Sequence, residues 1–221
     1  MRYFRALIAT LLIFLCVDAC TKVNIQSNVS SPGFSTTAIT VVLLSDPAST
    51  PDFDDEDIDN CIGSAMRDAN PALHVVSAKR FRENVYPYFM PSTTPHTLED
   101  YKGIFEKSEV QQRISALGVQ YLVVLIKRET VTDWHGGIFC GVATGGGGCL
   151  GLSWWDRKSD LGFAIWDLQA KSFAGNVRAK ADGTGIMPAF VLPIPVYIPA
   201  TESAVCKEIG VHLANLLSGQ R

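Results

Sequence analysis

The chain has 221 residues and a net charge of −3, with 47% hydrophobic and 19% charged residues. This composition is typical of a folded protein with one sizeable core, and it excludes a disordered chain. Because phosphate binding needs clustered lysine and arginine, and no basic patch stands out, we expect no nucleic-acid partner.

Residues 1–19 have the pattern of a bacterial export signal. Arg2 and Arg5 provide the positive start, residues 6–17 the apolar stretch, and Ala19 the small residue before a cleavage site. The apolar stretch is shorter than the roughly 20 residues of a membrane-spanning helix. We therefore predict that residues 1–19 are a signal peptide.

The next residue is Cys20, and the run from Val17 to Cys20 resembles the lipobox of bacterial lipoproteins. Asp18 departs from the small or apolar residue usual in that motif, so a plain cut after Ala19 without lipid is the alternative. The resemblance implies a palmitate-bearing membrane anchor on Cys20. Thr21 stands where lipoproteins of the inner membrane usually carry Asp, which favours the periplasmic face of the outer membrane.

Residues 20–37 are rich in Ser, Asn and Thr, and they predict a flexible tether ahead of a folded domain. Two nearly continuous apolar runs, 38–44 (AITVVLL) and 119–127 (VQYLVVLIK), predict central strands buried on both faces. The less apolar segment 73–81 predicts a strand nearer the edge of the sheet.

Helices are predicted between and after these strands. The acidic residues 52–59 suit the start of a first helix near Thr50, because acids stabilise the positive end of the helix dipole. The same run lacks the glycine and glutamate of a calcium-binding EF-hand loop at their offsets. Thr97 and Ser108 are expected to cap two short helices, and an apolar stripe predicts a last helix from Thr201.

After Arg128 the chain changes character. Residues 133–155 are rich in glycine and predict a loop, and a hairpin follows around a turn at residues 169–171. Residues 187–199 contain prolines that exclude a regular helix or an inner strand. Together the elements predict an α/β (α+β) fold: one domain over residues 38–221, with two or three layers, a central mixed sheet, helices on its faces and a C-terminal antiparallel hairpin.

Four cysteines remain in an exported chain whose Cys20 carries lipid, and they allow three pairings. Cys61 and Cys206 lie on the buried stripes of two helices, whereas Cys140 and Cys149 flank the glycine run. We therefore predict the disulfides Cys61–Cys206 and Cys140–Cys149. The rival for the second pair is a metal site with His135, although its spacing matches no standard zinc pattern.

No constellation of residues indicates catalysis. Residues 151–155 (GLSWW) begin like a nucleophile elbow but lack the closing glycine. The glycines after Gly141 resemble half of a phosphate loop, but Gly147 stands where the lysine must be. We therefore predict no catalytic residue, no cofactor, no metal and no enzymatic activity; a periplasmic hydrolase is the most distant alternative.

The glycine-rich loop is the candidate interaction surface, through Trp134, His135, Trp154 and Trp155. Tryptophan is enriched at protein interfaces and at the level of lipid headgroups. The alternative is structural: Trp154 and Trp155 would begin the next strand, one facing the core and one covered by the loop.

The element order over residues 38–218 resembles a domain shared by the curli secretion channel lipoprotein, the lipoprotein activators of penicillin-binding proteins and the TolB N-terminal domain. The runs GVQYLV (118–123) and WDL (166–168) carry most of this likeness. It implies a cell-envelope accessory lipoprotein that binds or assembles with an unidentified envelope protein. The alternative is an oligomeric secretion-channel component, which would need amphipathic strands of roughly 9 to 11 residues.

Overall fold

The computed structural model describes residues 21–29, 39–46, 54–90, 92–95, 97–143, 146–189 and 198–219. The predicted signal peptide and Cys20 lie outside the described residues, as do residues 190–197 of the proline-rich segment.

The described strands form one six-stranded sheet in the order β1-β6-β5-β4-β2-β3. They are β1 (Lys22–Val29), β2 (Thr40–Ser45), β3 (His74–Val76), β4 (Tyr121–Ala143), β5 (Gly146–Asp167) and β6 (Ser172–Ala189). β2 pairs in parallel with β3 and with β4. Only a few residues separate β4 from β5 and β5 from β6, too few for a crossover between parallel neighbours, so these strands pair antiparallel. The sheet is therefore mixed, and the predicted α/β fold class is confirmed.

The helical part comprises six α-helices among the described residues and one π-helical turn, Asp59–Gly63. The helices are α1 (Asp55–Ile58), α2 (Ser64–Ala69), α3 (Ala78–Asn84), α4 (Leu98–Phe105), α5 (Ser108–Leu117) and α6 (Thr201–Leu217). Thr97 caps α4 as predicted, in a capping box with Asp100. Gly118 ends α5 in the left-handed conformation, with φ of 68°.

Three local predictions are wrong. The strand predicted over residues 73–81 ends at Val76, because the Ser77 side chain accepts a hydrogen bond from the Arg80 backbone N–H and starts α3. Ser108 is the first residue of α5 rather than its cap, since Lys107 occupies the cap position. The first helix starts at Asp55 behind an Asp54 cap, and residues 47–53 lie outside the described part.

The tether predicted over residues 20–37 is also wrong in its first half, because Lys22–Val29 is strand β1. Val23 and Ile25 are less exposed than their polar neighbours, which is the period-two pattern of an edge strand. A Cβ on Gly183 would lie 3.3 Å from Thr21 Oγ1, and one on Gly175 would lie 2.6 Å from Val29 Cα. The start of β1 thus lies beside the later residue of β6 and the end of β1 beside the earlier one, so β1 is antiparallel to β6.

The main core forms around β2 and the adjoining part of β4. Val42, Leu44, Leu122 and Val124 belong to one buried cluster with residues of α3, α4 and α5 and with Trp166. Phe81, Phe89, Tyr101, Phe105 and Trp166 form a network of ring contacts in this cluster. Val41 and Leu43 project to the opposite face of β2 and are equally buried, so both faces of this strand are covered.

The contact between α6 and the α1–α2 segment is unusually close. The Cys61–Cys206 disulfide joins the two, with the Cα atoms 5.2 Å apart. One turn further along α6, a Cβ on Gly210 would lie 2.6 Å from Ala65 Cβ and 2.9 Å from the Ile62 carbonyl oxygen. Only glycine lets the two helical backbones approach to this distance.

The chain divides into two compact units. We call residues 24–129, 160–180 and 205–221 the α/β unit, and residues 1–23, 130–159 and 181–204 the hairpin unit. The loop predicted over residues 133–155 is wrong, since residues 133–143 lie in β4 and residues 146–155 in β5, and these two strands are neighbours in the sheet. Within the described ranges, no helix has both the length and the apolar character needed to cross a bilayer.

Candidate interaction surface

Residues 130–143 of β4 and 146–159 of β5 form a two-stranded hairpin that is cross-linked by a disulfide. Cys140 and Cys149 are bonded with their Cα atoms 4.0 Å apart, as in directly opposite residues of an antiparallel pair. Further from the turn, the His135 and Trp154 rings stack with centroids 5.9 Å apart. His135 is five residues before Cys140, and Trp154 is five residues after Cys149. The register of the two strands is therefore unchanged between these two contacts.

This register sorts the side chains onto two faces. Trp134 and Trp155 lie on the same face as the disulfide, because all are an even number of residues from it along their strands. His135, Phe139, Leu150 and Trp154 are an odd number away and lie on the other face. The hairpin therefore presents different side chains on its two sides.

Four aromatic residues form two cross-strand pairs, one on each face of the hairpin. We call them the aromatic collar: Trp134, His135, Trp154 and Trp155. The Trp134 and Trp155 rings are 4.7 Å apart. Trp155 is only 6% exposed, whereas Trp134 is 60% and Trp154 40% exposed. The structure thus brings together the four residues predicted as the interaction surface, and it places one of them, Trp155, in a buried structural position.

Trp155 is buried because β6 carries a glycine beside it. A Cβ on Gly185 would overlap the indole and lie 2.7 Å from its Nε1 atom. A side chain at Gly185 would therefore push Trp155 out of place, and Trp134 rests on Trp155. Gly185 on β6 therefore sets the position of Trp134 on β4 through Trp155.

Polar contacts hold the base of the collar. His135 Nε2 lies 3.5 Å from Asp156 Oδ2, and Asp156 accepts a hydrogen bond from the Thr184 hydroxyl at 2.7 Å. The Ser153 hydroxyl donates to the backbone oxygen of His135 at 3.0 Å. Ser153, the serine of the GLSWW run that begins like a nucleophile elbow, thus contacts a carbonyl rather than the imidazole.

Beyond the collar lies a segment that we call the uncharged tip, residues 136–143 and 146–153. No residue between His135 and Asp156 carries a formal charge. Four large apolar side chains of the tip are strongly exposed: Phe139 (81%), Val142 (91%), Leu150 (68%) and Leu152 (49%). The sequence-based prediction missed these residues, although the absence of charge over the whole stretch was visible in the sequence.

Glycine is required where the two arms of the tip come closest. Gly151 has φ of 153°, and a Cβ there would overlap the Gly137 carbonyl oxygen and lie 2.8 Å from Ile138 Cα. The glycines that favoured a loop thus allow close backbone approach inside a hairpin.

The α/β unit contains a separate polar cluster at the end of β2. Arg82 donates to both carboxylate oxygens of Asp55, at 2.7 and 3.1 Å, and also to the Phe89 and Ser45 carbonyls. The Ser45 backbone N–H and hydroxyl donate to Asp55 Oδ1 at 2.7 and 2.9 Å. Arg82 and Asp55 thus satisfy each other's polar atoms, which is the arrangement of a structural ion pair.

That cluster borders a cleft of about 540 Å³ lined by acidic α1 residues and by Arg82. Nearby, burial raises the pKa of the Tyr101 hydroxyl, which therefore stays protonated. Burial likewise lowers the pKa of His212 on α6. Among the described residues, no group of three or more His, Cys, Asp or Glu side chains is arranged to hold a metal ion.

No protein-family model and no curated protein matches the chain. Among solved structures, the chain is similar to two PelC dodecamers from Paraburkholderia phytofirmans. One is 10% identical with a TM-score of 0.38, covering 91% of this chain and all of the other, and the second is 8% identical with a TM-score of 0.37, covering 90% and 98%. These scores carry no functional argument, and the resemblance to the curli-channel and TolB group stays a prediction.

Proposed function

We propose that the protein is a non-enzymatic cell-envelope lipoprotein that binds another envelope protein through its aromatic collar, as an accessory or assembly factor. Lipid on Cys20 anchors it to the periplasmic face of the outer membrane. The lipobox-like run before Cys20 supports the anchor, and the two disulfides suit an oxidising compartment.

The observation that carries the binding role is the pair of half-exposed tryptophans. Trp134 and Trp154 are held on opposite faces of the hairpin by ring contacts with Trp155 and His135. A rigid aromatic side chain loses little conformational entropy when a partner covers it, which is why Trp is frequent among the residues that dominate binding energy. The collar therefore has the features of a protein contact.

Envelope cross-linking followed by affinity capture tests this role. The double variant Trp134→Ala, Trp154→Ala should recover at least about tenfold less of the cross-linked partner than the unchanged protein, since central tryptophans contribute about 2 kcal/mol or more each. Tyr86→Ala is the matched control, because Tyr86 is 61% exposed and lies in the α/β unit. Equal recovery from the collar variant, or no captured protein at all, contradicts the proposed binding role.

The anchor has its own test. Cells labelled with palmitate should yield labelled protein, and Cys20→Ala should remove the label. A labelled Cys20→Ala variant, or an unlabelled parent protein, contradicts lipidation at this residue.

A second candidate function is an oligomeric secretion-channel component. It is favoured by the length of β4 and β5, 23 and 22 residues, which exceeds the roughly 9 to 11 residues that the sequence argument required. Size measurement of the detergent-extracted protein separates the two candidates: a ring-sized assembly supports the channel component, and a clean monomer supports the accessory factor.

A further inference from the structure

We propose that the uncharged tip of the hairpin inserts into the interfacial layer of the phospholipid bilayer that holds the lipid anchor. This inference rests on the anchor at Cys20 in the proposed function, and it assigns to the tip a ligand different from the protein partner of the collar.

The first argument is the distribution of charge along the hairpin. Charged residues border the collar on the side away from the tip, at Asp133 and from Asp156 to Lys158, and none occurs beyond it. Burying a charge in an apolar layer is costly, whereas burying Phe, Leu and Val side chains is favourable. The charge therefore ends at the level where aromatic residues begin, which is the order found at a membrane surface.

The second argument is that the exposed apolar side chains of the tip lie mainly on one face. Phe139, Leu150 and Leu152 lie on one face, and Val142 lies on the other with the disulfide. An uncharged face with three large apolar side chains can lie on the boundary between headgroups and acyl chains, while the disulfide face stays hydrated.

The third argument is the position in the hairpin unit of Thr21, the residue that follows the anchor. Thr21 lies beside Gly183 of β6, and Gly185 of the same strand touches Trp155 of the collar. Two residues of a strand span about 7 Å, so Thr21 lies within about 7 Å of the collar level along the strand. Cys20 is one peptide bond from Thr21, with Cα atoms about 3.8 Å apart. Acyl chains on Cys20 therefore enter the bilayer close to the level of the aromatic collar.

The depth of insertion is limited by the backbone. The edges of an isolated hairpin carry N–H and C=O groups that need water or another strand, and a lone hairpin cannot cross the hydrocarbon layer. A depth of about 5–10 Å, with the Phe139–Leu150–Leu152 face turned into the boundary between headgroups and acyl chains, leaves these edges hydrated.

Photo-cross-linking in cells tests the inference. With p-benzoyl-phenylalanine in place of Phe139, irradiation should yield adducts with the mass of a phospholipid. The same probe in place of Tyr86, an exposed aromatic residue of the α/β unit, should yield none. Adding Leu150→Asp to the Phe139 probe should lower the lipid adduct about tenfold, since the carboxylate resists transfer from water.

The outcomes distinguish this inference from the proposed function. Palmitate-labelled protein whose Phe139 probe cross-links to protein, either a second copy of this chain or another partner, overturns the bilayer contact and leaves the anchor intact. No adduct at Phe139 overturns it as well. Unlabelled protein overturns the anchor, and a phospholipid adduct at Phe139 would then still support membrane contact by the tip.

Discussion

The two disulfides belong to regions that are held together in different ways. Cys61 and Cys206 are separated by 145 residues and join two helical segments of the α/β unit. Cys140 and Cys149 are separated by 9 residues and join the neighbouring arms of the hairpin. The α/β unit is thus cross-linked between distant parts of the chain, whereas the hairpin is cross-linked locally. We expect the two units to lose their structure under different conditions.

The largest expected effect is the loss of the long-range disulfide. The double variant Cys61→Ala, Cys206→Ala should lower the free energy of unfolding by about 3–5 kcal/mol, because a cross-link over a long loop removes the most entropy from the unfolded chain. Urea unfolding followed by the helical circular dichroism, to which the helices of the α/β unit contribute, measures it. A loss below about 1 kcal/mol would contradict a dominant role for long-range contacts in the α/β unit.

The next effect comes from the close helix approach at Gly210. Gly210→Ala should destabilise the α/β unit by about 1–3 kcal/mol, because the added methyl overlaps Ala65 and the Ile62 carbonyl. Gly103→Ala is the matched control, since a Cβ on Gly103 of α4 meets no atom within 4 Å. That variant should gain up to about 1 kcal/mol from the better helix propensity of alanine. The same sign for both variants would contradict the packing argument.

The short disulfide should affect the hairpin unit alone. Cys140→Ser with Cys149→Ser should make the tip susceptible to proteases, while the free energy of unfolding of the α/β unit, followed by helical circular dichroism, changes by less than about 1 kcal/mol. Limited proteolysis with mapping of the cut sites measures the first effect. Unfolding of the α/β unit in step with the hairpin would show that the two units are not independent.

The smallest effect concerns Asp160, a residue of the α/β unit. Hydrogen bonds from Arg178 and Lys127 lower the pKa of Asp160 to about 2. The ionised carboxylate therefore stabilises the fold above the unfolded pKa of about 4, and this contribution is lost as the pH falls toward 2. Asp160→Asn should cost less than about 1 kcal/mol at pH 7. Urea unfolding of both proteins at several pH values should show the difference vanish near pH 2; a difference that persists there contradicts the assignment.

The α/β unit could be predicted from the sequence where burial is local and complete. Residues 41–44 and 122–126 contain no polar residue, and such runs fit a strand covered on both faces. The Cys61–Cys206 disulfide could be predicted because each cysteine lies on the apolar stripe of a helix. Ser77 shows the limit of that approach, because a single capping side chain converted the end of a predicted strand into a helix.

In the hairpin unit, the sequence identified the candidate interaction residues but not the strands on which they lie. Trp134 and Trp154 were recognisable as unusual, yet the glycines around them lower strand propensity and favoured a loop. The cross-strand disulfide and the Trp134–Trp155 contact outweigh that local preference, and neither appears before the register is known. Strand β1 was missed because its partner, β6, lies far along the chain, although Val23 and Ile25 alternate with polar residues.

The early start of β1 has a consequence for how such a protein would search for its partner. A flexible tether over residues 20–37 would place the folded part at a root-mean-square distance of roughly 20–25 Å from its attachment point. With Lys22 already in the sheet, a lipid on Cys20 would fix the height and tilt of the hairpin unit instead. Encounters would then be confined to a thin layer parallel to the bilayer, which would raise the effective concentration of a partner in that layer and exclude partners far from the bilayer.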